Sequence, residues 1–380
     1  VKKVGIVGLS QTRFERQITD RNFADLVYEV TTGALEDAGM DIEQIDNVVT
    51  VSNDFWDGRT ISSMAVMDAC GAYGKNVSTV EGDGLFGAIY GAMRIWSDSF
   101  GTTLVVAHSK SSEGSNHIIT NAMFDPIYQR PLGLDVISSA ALQARAYMDC
   151  QGADQNDWAR VSVKNHGNAK NNPFAQLPME LSIQNVLESR MIAEPLKLLD
   201  CSPISDGACA VILADEERAA ESRQRPVWIK GVGYAAELHY LGDRDLSSPI
   251  ALREAAQRAY RMAGINKPRE QIDFLEIYDA FSYMEPLWLE GLGFSDEGKG
   301  GDLLRNGVTE LNGPMPVNAS GGVLSAHAVL AAGLVRAVEV VLQIRGTAGN
   351  HQIERAGIGL AHGINGPCGQ SHCVMILGER

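Results

Sequence analysis

The chain is short of cysteine, of basic residues and of long apolar runs, and each shortage excludes something. Six cysteines are scattered over 380 residues. Such scatter fits reduced thiols and argues against a disulfide framework. Cys201 and Cys209, and likewise Cys368 and Cys373, lack the close paired spacing of a structural zinc site, so no metal is expected on this chain. Lys and Arg number 32 against 47 Asp and Glu, giving a formal net charge of −15. A nucleic-acid partner is therefore disfavoured, because a phosphate backbone needs a basic face. No apolar run approaches the roughly 20 residues that span a membrane. The start, VKKVGIVG, reads as a first strand, too short and glycine-rich for a signal peptide. These features lead us to expect a cytoplasmic protein.

What is present points to an α/β fold built twice. A chain of 380 residues is too long for one simple core and suggests two fused halves. Residues 26–49, LVYEVTTGALEDAGMDIEQIDNVV, and residues 251–277, ALREAAQRAYRMAGINKPREQIDFLEI, share one plan. Each has an amphipathic helix ending at Ala-Gly, a short linker, Glu-Gln-Ile-Asp and an apolar strand. The glycine after each helix is a natural stop. Each segment follows a glycine-rich strand, and the shared order argues for an internal duplication. Each half also holds a second glycine-rich turn leading into a helix, VEGDGLFGAIYGAMRIW and NASGGVLSAHAVLAAGLVRAVEVVLQIRG. Strands alternating with helices imply α/β layers. The expected organisation is a first half over residues 1–110 and 197–222, an inserted loop or lid domain over 111–196, and a second half over 223–380. The inserted part reads as loop because it is rich in Asn, Pro and polar residues.

The turn in VEGDGLFGAIYGAM raises a chemical question. A helix start after such a turn suits a reactive thiolate or an oxyanion. The turn holds neither Cys nor Ser.

Four motifs answer it by resemblance: MIAEPLKLLDCSPISDGACAVIL, VSVKNHGNAKNNP, NASGGVLSAHAVLAAG and the glycine-rich C-terminal segment. Together with the duplication they resemble the thiolase superfamily, in its sterol-carrier-type and archaeal-type branch. The resemblance implies two βαβαβαββ halves packed as five α/β layers, a homodimer, and acyl-CoA substrates with coenzyme A as substrate or thioester. The family's nucleophile segment V-E-A-A-C-A-S-G aligns without a gap on residues 80–87, so Gly84 stands where the thiolate would be. Tyr278-Asp279-Ala280-Phe281 stands for the Asn-Glu-Ala-Phe or His-Asp-Cys-Phe motif. Ala326-His327-Ala328 stands for Gly-His-Pro, and Cys368-Gly369 for the C-terminal Cys-x-Gly.

The roles implied are these. His327 and the Tyr278 hydroxyl would hold an enolate oxygen, with the Gly84 N–H as a further donor at the helix start. Cys368 would be the nucleophile of a retro-Claisen cleavage, in a Gly-flanked turn with Ser371 and His372 close in sequence, where a nearby His lowers a thiol pKa. Alternatively, the thiolate of CoA itself attacks, with His327 as base. A retro-aldol cleavage needs no nucleophile, and its base could be Tyr278, Asp83, Asp279 or His327. CoA-dependent retro-Claisen cleavage of a β-oxoacyl-CoA leads, as in benzoylsuccinyl-CoA thiolase. Retro-aldol cleavage, as in steroid side-chain aldolases that share the Tyr-Asp-x-Phe motif, comes next, and a non-catalytic acyl-CoA scaffold is third. Lys110, Arg130 and His166, with Lys164 and Lys170, are candidate CoA contacts. Ser320 and Gly321, ahead of His327, and Gly369 are placed with substrate binding. Phe124, Tyr128 and Phe174 are candidate acyl-pocket walls. Both relatives named work with a small zinc-ribbon/OB-fold subunit, so such a partner is implied.

Overall fold

The computed structural model describes residues 2–379. Its nine-stranded sheet uses β1 (Val4–Gln11), β2 (Asn47–Val51), β3 (Asn76–Val80), β4 (Thr102–Lys110), β5 (Asp206–Asp215), β6 (Val227–Ala236), β7 (Phe274–Glu276), β8 (Ile358–Asn365) and β9 (Ser371–Gly378). The main helices are α1 (Phe23–Ala38), α2 (Gly84–Trp96), α3 (Val136–Gln151), α4 (Gln155–Asn168), α5 (Ile250–Ala263), α6 (Met284–Gly291) and α7 (Ala332–Arg345). The strand order is β3-β2-β4-β5-β1-β6-β9-β8-β7. The run β2-β4-β5-β1 is mirrored by β7-β8-β9-β6, as a duplication requires. The two runs join through two residue pairs only, Gly5 with Trp228 and Ile6 with Val227. The strand answering to β3 in the second half is reduced to a single parallel bridge, Leu275 to Val317.

Alternation along the strands feeds two cores at once. In β5, Cys209, Val211 and Leu213 face one core, while Ala208, Ala210 and Ile212 face another. The second of these packs against Leu26, Val27 and Val30 of α1. The first packs against α2 and α7, which also meet Ala361, Cys373 and Met375 from the second half of the sheet. On the far side, Leu360, Val374 and Ile376 pack against α5 and α6. The order is helix, sheet, helices, sheet, helix: five layers in the thiolase fold.

Glycine permits the tight helix–strand contact in both halves. A Cβ on Gly8 of β1 would lie 2.3 Å from the Ala34 carbonyl oxygen of α1. A Cβ on Gly231 of β6 would lie 2.2 Å from the Ala259 carbonyl oxygen of α5. Both helices stop at a left-handed glycine, Gly39 (φ 68°) and Gly264 (φ 70°).

The segment between β4 and β5 departs from the loop expectation, since it carries α3 and α4. Its polar residues misled because several point inward and are hydrogen-bonded there. Lys164 Nζ donates to the Val317 carbonyl (2.7 Å), Asn168 Nδ2 to the Asn318 carbonyl (3.0 Å), and Asn165 Nδ2 to Asp279 (2.6 Å). A buried polar face satisfied in this way looks like loop composition in one dimension.

One carboxylate fixes the two central helices. Asp83 is the N-cap of α2, where its Oδ1 accepts the Leu85 N–H at 3.0 Å. Its Oδ2 accepts the Gly333 N–H in the first turn of α7 at 2.6 Å. Two positive helix ends thus converge on one buried acid. Burial pushes its pKa up to about 7, against the pull of the Leu85, Gly333 and Gly84 N–H groups. With a folded pKa above the ordinary 3.8, this group's contribution to stability is full below pH 3.8 and is lost as pH rises through about 7. Asp83→Asn should therefore flatten part of the fall in urea-unfolding free energy across that window. Equal slopes for variant and parent would show that Asp83 does not titrate there.

Candidate active site

A cavity of about 720 Å³ opens where the ends of both halves meet. Its walls are largely apolar and include Trp56, Met123, Ile137, Phe281, Met284 and Leu330. Three loops bring polar groups to it. Tyr278 follows β7, His327 follows the helical turn Gly322–Ser325, and Ser202 precedes β5. The Ser202 N–H donates to the Ala280 carbonyl (2.9 Å), which ties the first-half loop to the Tyr278 loop. The Ser205 hydroxyl accepts the His327 N–H at 2.8 Å, and the His327 carbonyl accepts the Ser205 N–H at 3.2 Å.

The result is a line of three side chains. Tyr278 Oη lies 2.7 Å from His327 Nε2, and His327 Nδ1 lies 2.8 Å from Ser202 Oγ. Burial pushes His327 down to about 4, with Arg336 adding to the effect. Burial also pushes the Tyr278 phenol well above its ordinary 10, with Asp83 adding to it. Both are neutral at neutral pH. One proton then lies in each hydrogen bond, and the line can run in either direction: from Tyr278 through His327 to Ser202, or the reverse.

The other expected catalytic groups behave differently. Cys368 lines the cavity, but its thiol donates to the Ser139 carbonyl at 3.2 Å. Burial pushes it up to about 11. The histidine expected to activate it is bonded elsewhere, since His372 Nδ1 lies 2.9 Å from His362 Nε2. Ser371 donates to the Ala235 carbonyl. Cys368 is thus a neutral thiol with no base, which corrects its assignment as nucleophile.

Asp279 is buried behind the site. It accepts the Val323 N–H and the Asn165 amide, both at 2.6 Å, and so anchors the turn leading into His327. Gly84 gives no room to substrate. A Cβ there would lie 2.6 Å from Leu334 Cβ and 3.1 Å from the Leu330 carbonyl oxygen.

The expected CoA and acyl contacts lie away from the cavity walls. Lys110 is buried, donates to the Ile18 and Arg21 carbonyls and pairs with Glu113. His166 is buried against the Leu177 carbonyl (2.9 Å). Lys164 pairs with Glu285 (2.9 Å), and Lys170 with Glu180 (3.0 Å). Arg130 ties its own loop to the Phe124 carbonyl (2.7 Å). Phe124 sits in a small cluster with Leu241 and Cys368, Phe174 packs on the central core, and Tyr128 is 70% exposed. Ser320 donates to Glu276 (2.6 Å) and accepts from Arg336 (2.7 Å). Gly321 is packed on Ala169, and Gly369 on His372 and Trp288. The Lys, Arg, His and Ser side chains among them have found protein partners, which sequence position could not reveal. The cavity residues that sequence reasoning did not single out include Ser202, Asn365 and Gln370. All three lie inside stretches that carried the resemblance, Ser202 in DCSPISDG and Asn365 and Gln370 in the glycine-rich C-terminal segment.

Two family models cover nearly the whole chain: "Thiolase, N-terminal domain" over residues 4–217 and "Thiolase C-terminal domain-like" over residues 234–379. The chain is 36% identical over 378 residues to the acetyl-CoA acetyltransferase of Methanothermobacter thermautotrophicus, covering 97% of this chain and 98% of that one. It is 29% identical over 383 residues to the benzoylsuccinyl-CoA thiolase subunit BbsB of Thauera aromatica, covering 97% and 96%. Among solved structures it is similar to an Ltp2-ChsH2(DUF35) aldolase, with TM-score 0.85, 26% identity, and coverage of 99% of this chain and 97% of that one.

The filled space at Gly84 is testable by urea denaturation. Gly84→Ala should cost about 1–3 kcal/mol through overpacking. Combined with Leu334→Ala, it should cost less than the two single changes summed. Strict additivity would show that the strain is relieved elsewhere.

Proposed function

The chain belongs to the thiolase family, which acts on CoA thioesters, and we propose that it makes or breaks a carbon–carbon bond in an acyl-CoA without forming an acyl-enzyme. The observation that carries this reading is the 2.7 Å contact between Tyr278 Oη and His327 Nε2, at a cavity whose two thiols, Cys201 and Cys368, are both pushed up by burial. A non-catalytic scaffold would have no use for that line of groups.

Retro-aldol cleavage of a β-hydroxyacyl-CoA asks least of this site. The substrate hydroxyl hydrogen-bonds to Tyr278 Oη. Its proton moves to Tyr278 as the phenolic proton moves to His327 Nε2, while His327 Nδ1–H is held by Ser202. The Cα–Cβ bond breaks, a ketone or aldehyde leaves, and the electron pair becomes the thioester enolate. The proton then returns along the same line and is delivered to the α-carbon, which restores the enzyme. An imidazole held near 4 gives the proton back readily. The aldolase similarity supports this reading.

A second reading is retro-Claisen cleavage by direct attack of the CoA thiolate on a β-ketone, with Tyr278 donating to the ketone oxygen. The names of the acetyltransferase and thiolase relatives favour it. In both readings the apolar cavity suits a branched or ring-bearing acyl group, and the segment over 111–196 serves as a lid. We assign the chain a homodimeric state and a small zinc-ribbon/OB-fold partner subunit. The names "subunit BbsB" and "Ltp2-ChsH2(DUF35)" support a partner. Six unpaired cysteines support a cytoplasmic setting. Among the described residues no helix is long and apolar enough to cross a membrane.

The deciding assay offers a tertiary 3-hydroxyacyl-CoA and the matching 3-oxoacyl-CoA, each with and without free CoA. The expected outcome is ketone release from the hydroxy substrate with no CoA consumed. Cleavage of the oxo substrate alone, dependent on free CoA, would install the second reading. Tyr278→Phe and His327→Ala should each lower kcat by about 10²–10⁴, and Cys368→Ala should change it by less than about threefold. Unaltered turnover in Tyr278→Phe would remove the proton-transfer assignment.

A further inference from the structure

Two buried histidines that the reaction does not use stand side by side on β8 and β9. His362 Nε2 lies 2.9 Å from His372 Nδ1, and the rings stack at 5.2 Å with planes 15° apart. Trp288 of α6 packs edge-on against both, at 6.0 and 4.8 Å. Both are enclosed and both are held far below their ordinary 6.5 by burial, His362 at about 3. Taken alone, the pair would be ordinary core. The direction of its hydrogen bonds says more.

The Tyr278 N–H donates to His362 Nδ1 at 3.3 Å. A ring nitrogen that accepts carries no proton, so neutral His362 is protonated on Nε2. That proton is donated to His372 Nδ1, which leaves His372 protonated on its own Nε2. That edge of the His372 ring packs on Gly369, where an added Cβ would lie 2.5 Å from Nε2. Every tautomer along the line is thereby set. The line begins at the peptide of Tyr278 and ends in the turn 366–370, whose Pro367 and Cys368 line the cavity.

Both ends are clamped from outside as well. Trp288 Nε1 donates to the Tyr278 carbonyl at 2.9 Å, so both polar groups of the Tyr278 residue's backbone are taken by buried side chains. Arg244 donates to the Pro367 and Cys368 carbonyls at 2.9 and 2.8 Å. The turn needs such support, because Gly366, Cys368 and Gly369 all have positive φ (78°, 54° and 60°).

We infer that His362 and His372 are positioning residues that set the Tyr278 hydroxyl against the opposite cavity wall, the turn 366–370, through a single line of fixed tautomers. The inference rests on the reading of Tyr278 as the group that handles the substrate proton.

Two substitutions at His362 separate positioning from mere packing. Asparagine places an acceptor where Nδ1 stands and keeps the bond to Tyr278. Glutamine places a donor near Nε2, keeps the bond to His372 and frees Tyr278. Each leaves one buried partner unpaired, so both should lower Tm to a similar extent. His362→Gln should lower kcat about 10- to 100-fold with KM changed less than about threefold, while His362→Asn keeps kcat within about threefold. Turnover is read with the 3-hydroxyacyl-CoA and 3-oxoacyl-CoA probes above. Equal kcat losses in the two variants, or none in either, would overturn the inference. Nitrogen NMR of histidine-labelled protein gives a readout without substrate. It should show bare Nδ1 and protonated Nε2 on both rings at neutral pH, and any other tautomer or a charged ring overturns the line. Tyr278→Phe is the control. If it keeps parental turnover, the functional reading has failed; if it is inactive while His362→Gln is not, only the positioning inference has.

Discussion

The shared capping of two central helices by one buried carboxylate is the constraint on which the site depends. Asp83 accepts N–H groups from the first turns of both α2 and α7. Those helices come from different halves of the duplication and form the middle layer between the two parts of the sheet. Their starts are brought so close to the acid that only glycine fits at two neighbouring positions. A Cβ on Gly333 would lie 1.9 Å from Asp83 Oδ1, and one on Gly363 would lie 2.5 Å from it. The cavity opens at this junction, with Asp83 in its wall.

Around that junction the protein buries many charged groups and pairs them off. Arg336 holds Glu276 (2.6 Å), Lys164 holds Glu285 (2.9 Å), and Asp279 takes two N–H donors. Breaking such a pair costs far more than an exposed one contributes, so these contacts act as rigid spacers. What they leave facing the substrate is a neutral line, Tyr278, His327 and Ser202. A dry cavity with pre-oriented neutral donors can stabilise charge that appears only during reaction.

The family scaffold is retained, and at Gly84, which motif resemblance sets against the nucleophile position, there is no open volume. At Gly84 the side chain is absent, and Leu334 and Leu330 occupy the volume it would need. The two thiols in the cavity wall, Cys201 and Cys368, are pushed up by burial and donate to the Lys197 and Ser139 carbonyls. Neither change alone would exclude covalent catalysis. Together they are the ground for proposing proton transfer by the protein's own groups.

The local sequence determined the repeated pattern of strand, helix, Ala-Gly stop and strand, because periodicity and glycine stops act over a few residues. The α/β layering followed from it, while Tyr278 and His327 were singled out by the resemblance of their contiguous motifs to those of the family. The tertiary structure decided everything that depends on residues far apart in the chain. Lys110, His166 and Ser320 looked available and are consumed by buried partners. The polar segment around Lys164 and Asn165 looked like loop and is a helix whose polar face is satisfied in the interior. Cys368 looked activated by its sequence neighbours, but strand pairing sends His372 to His362 instead. A pKa or a filled volume is set by what surrounds a group in three dimensions, and that information is absent from sequence spacing.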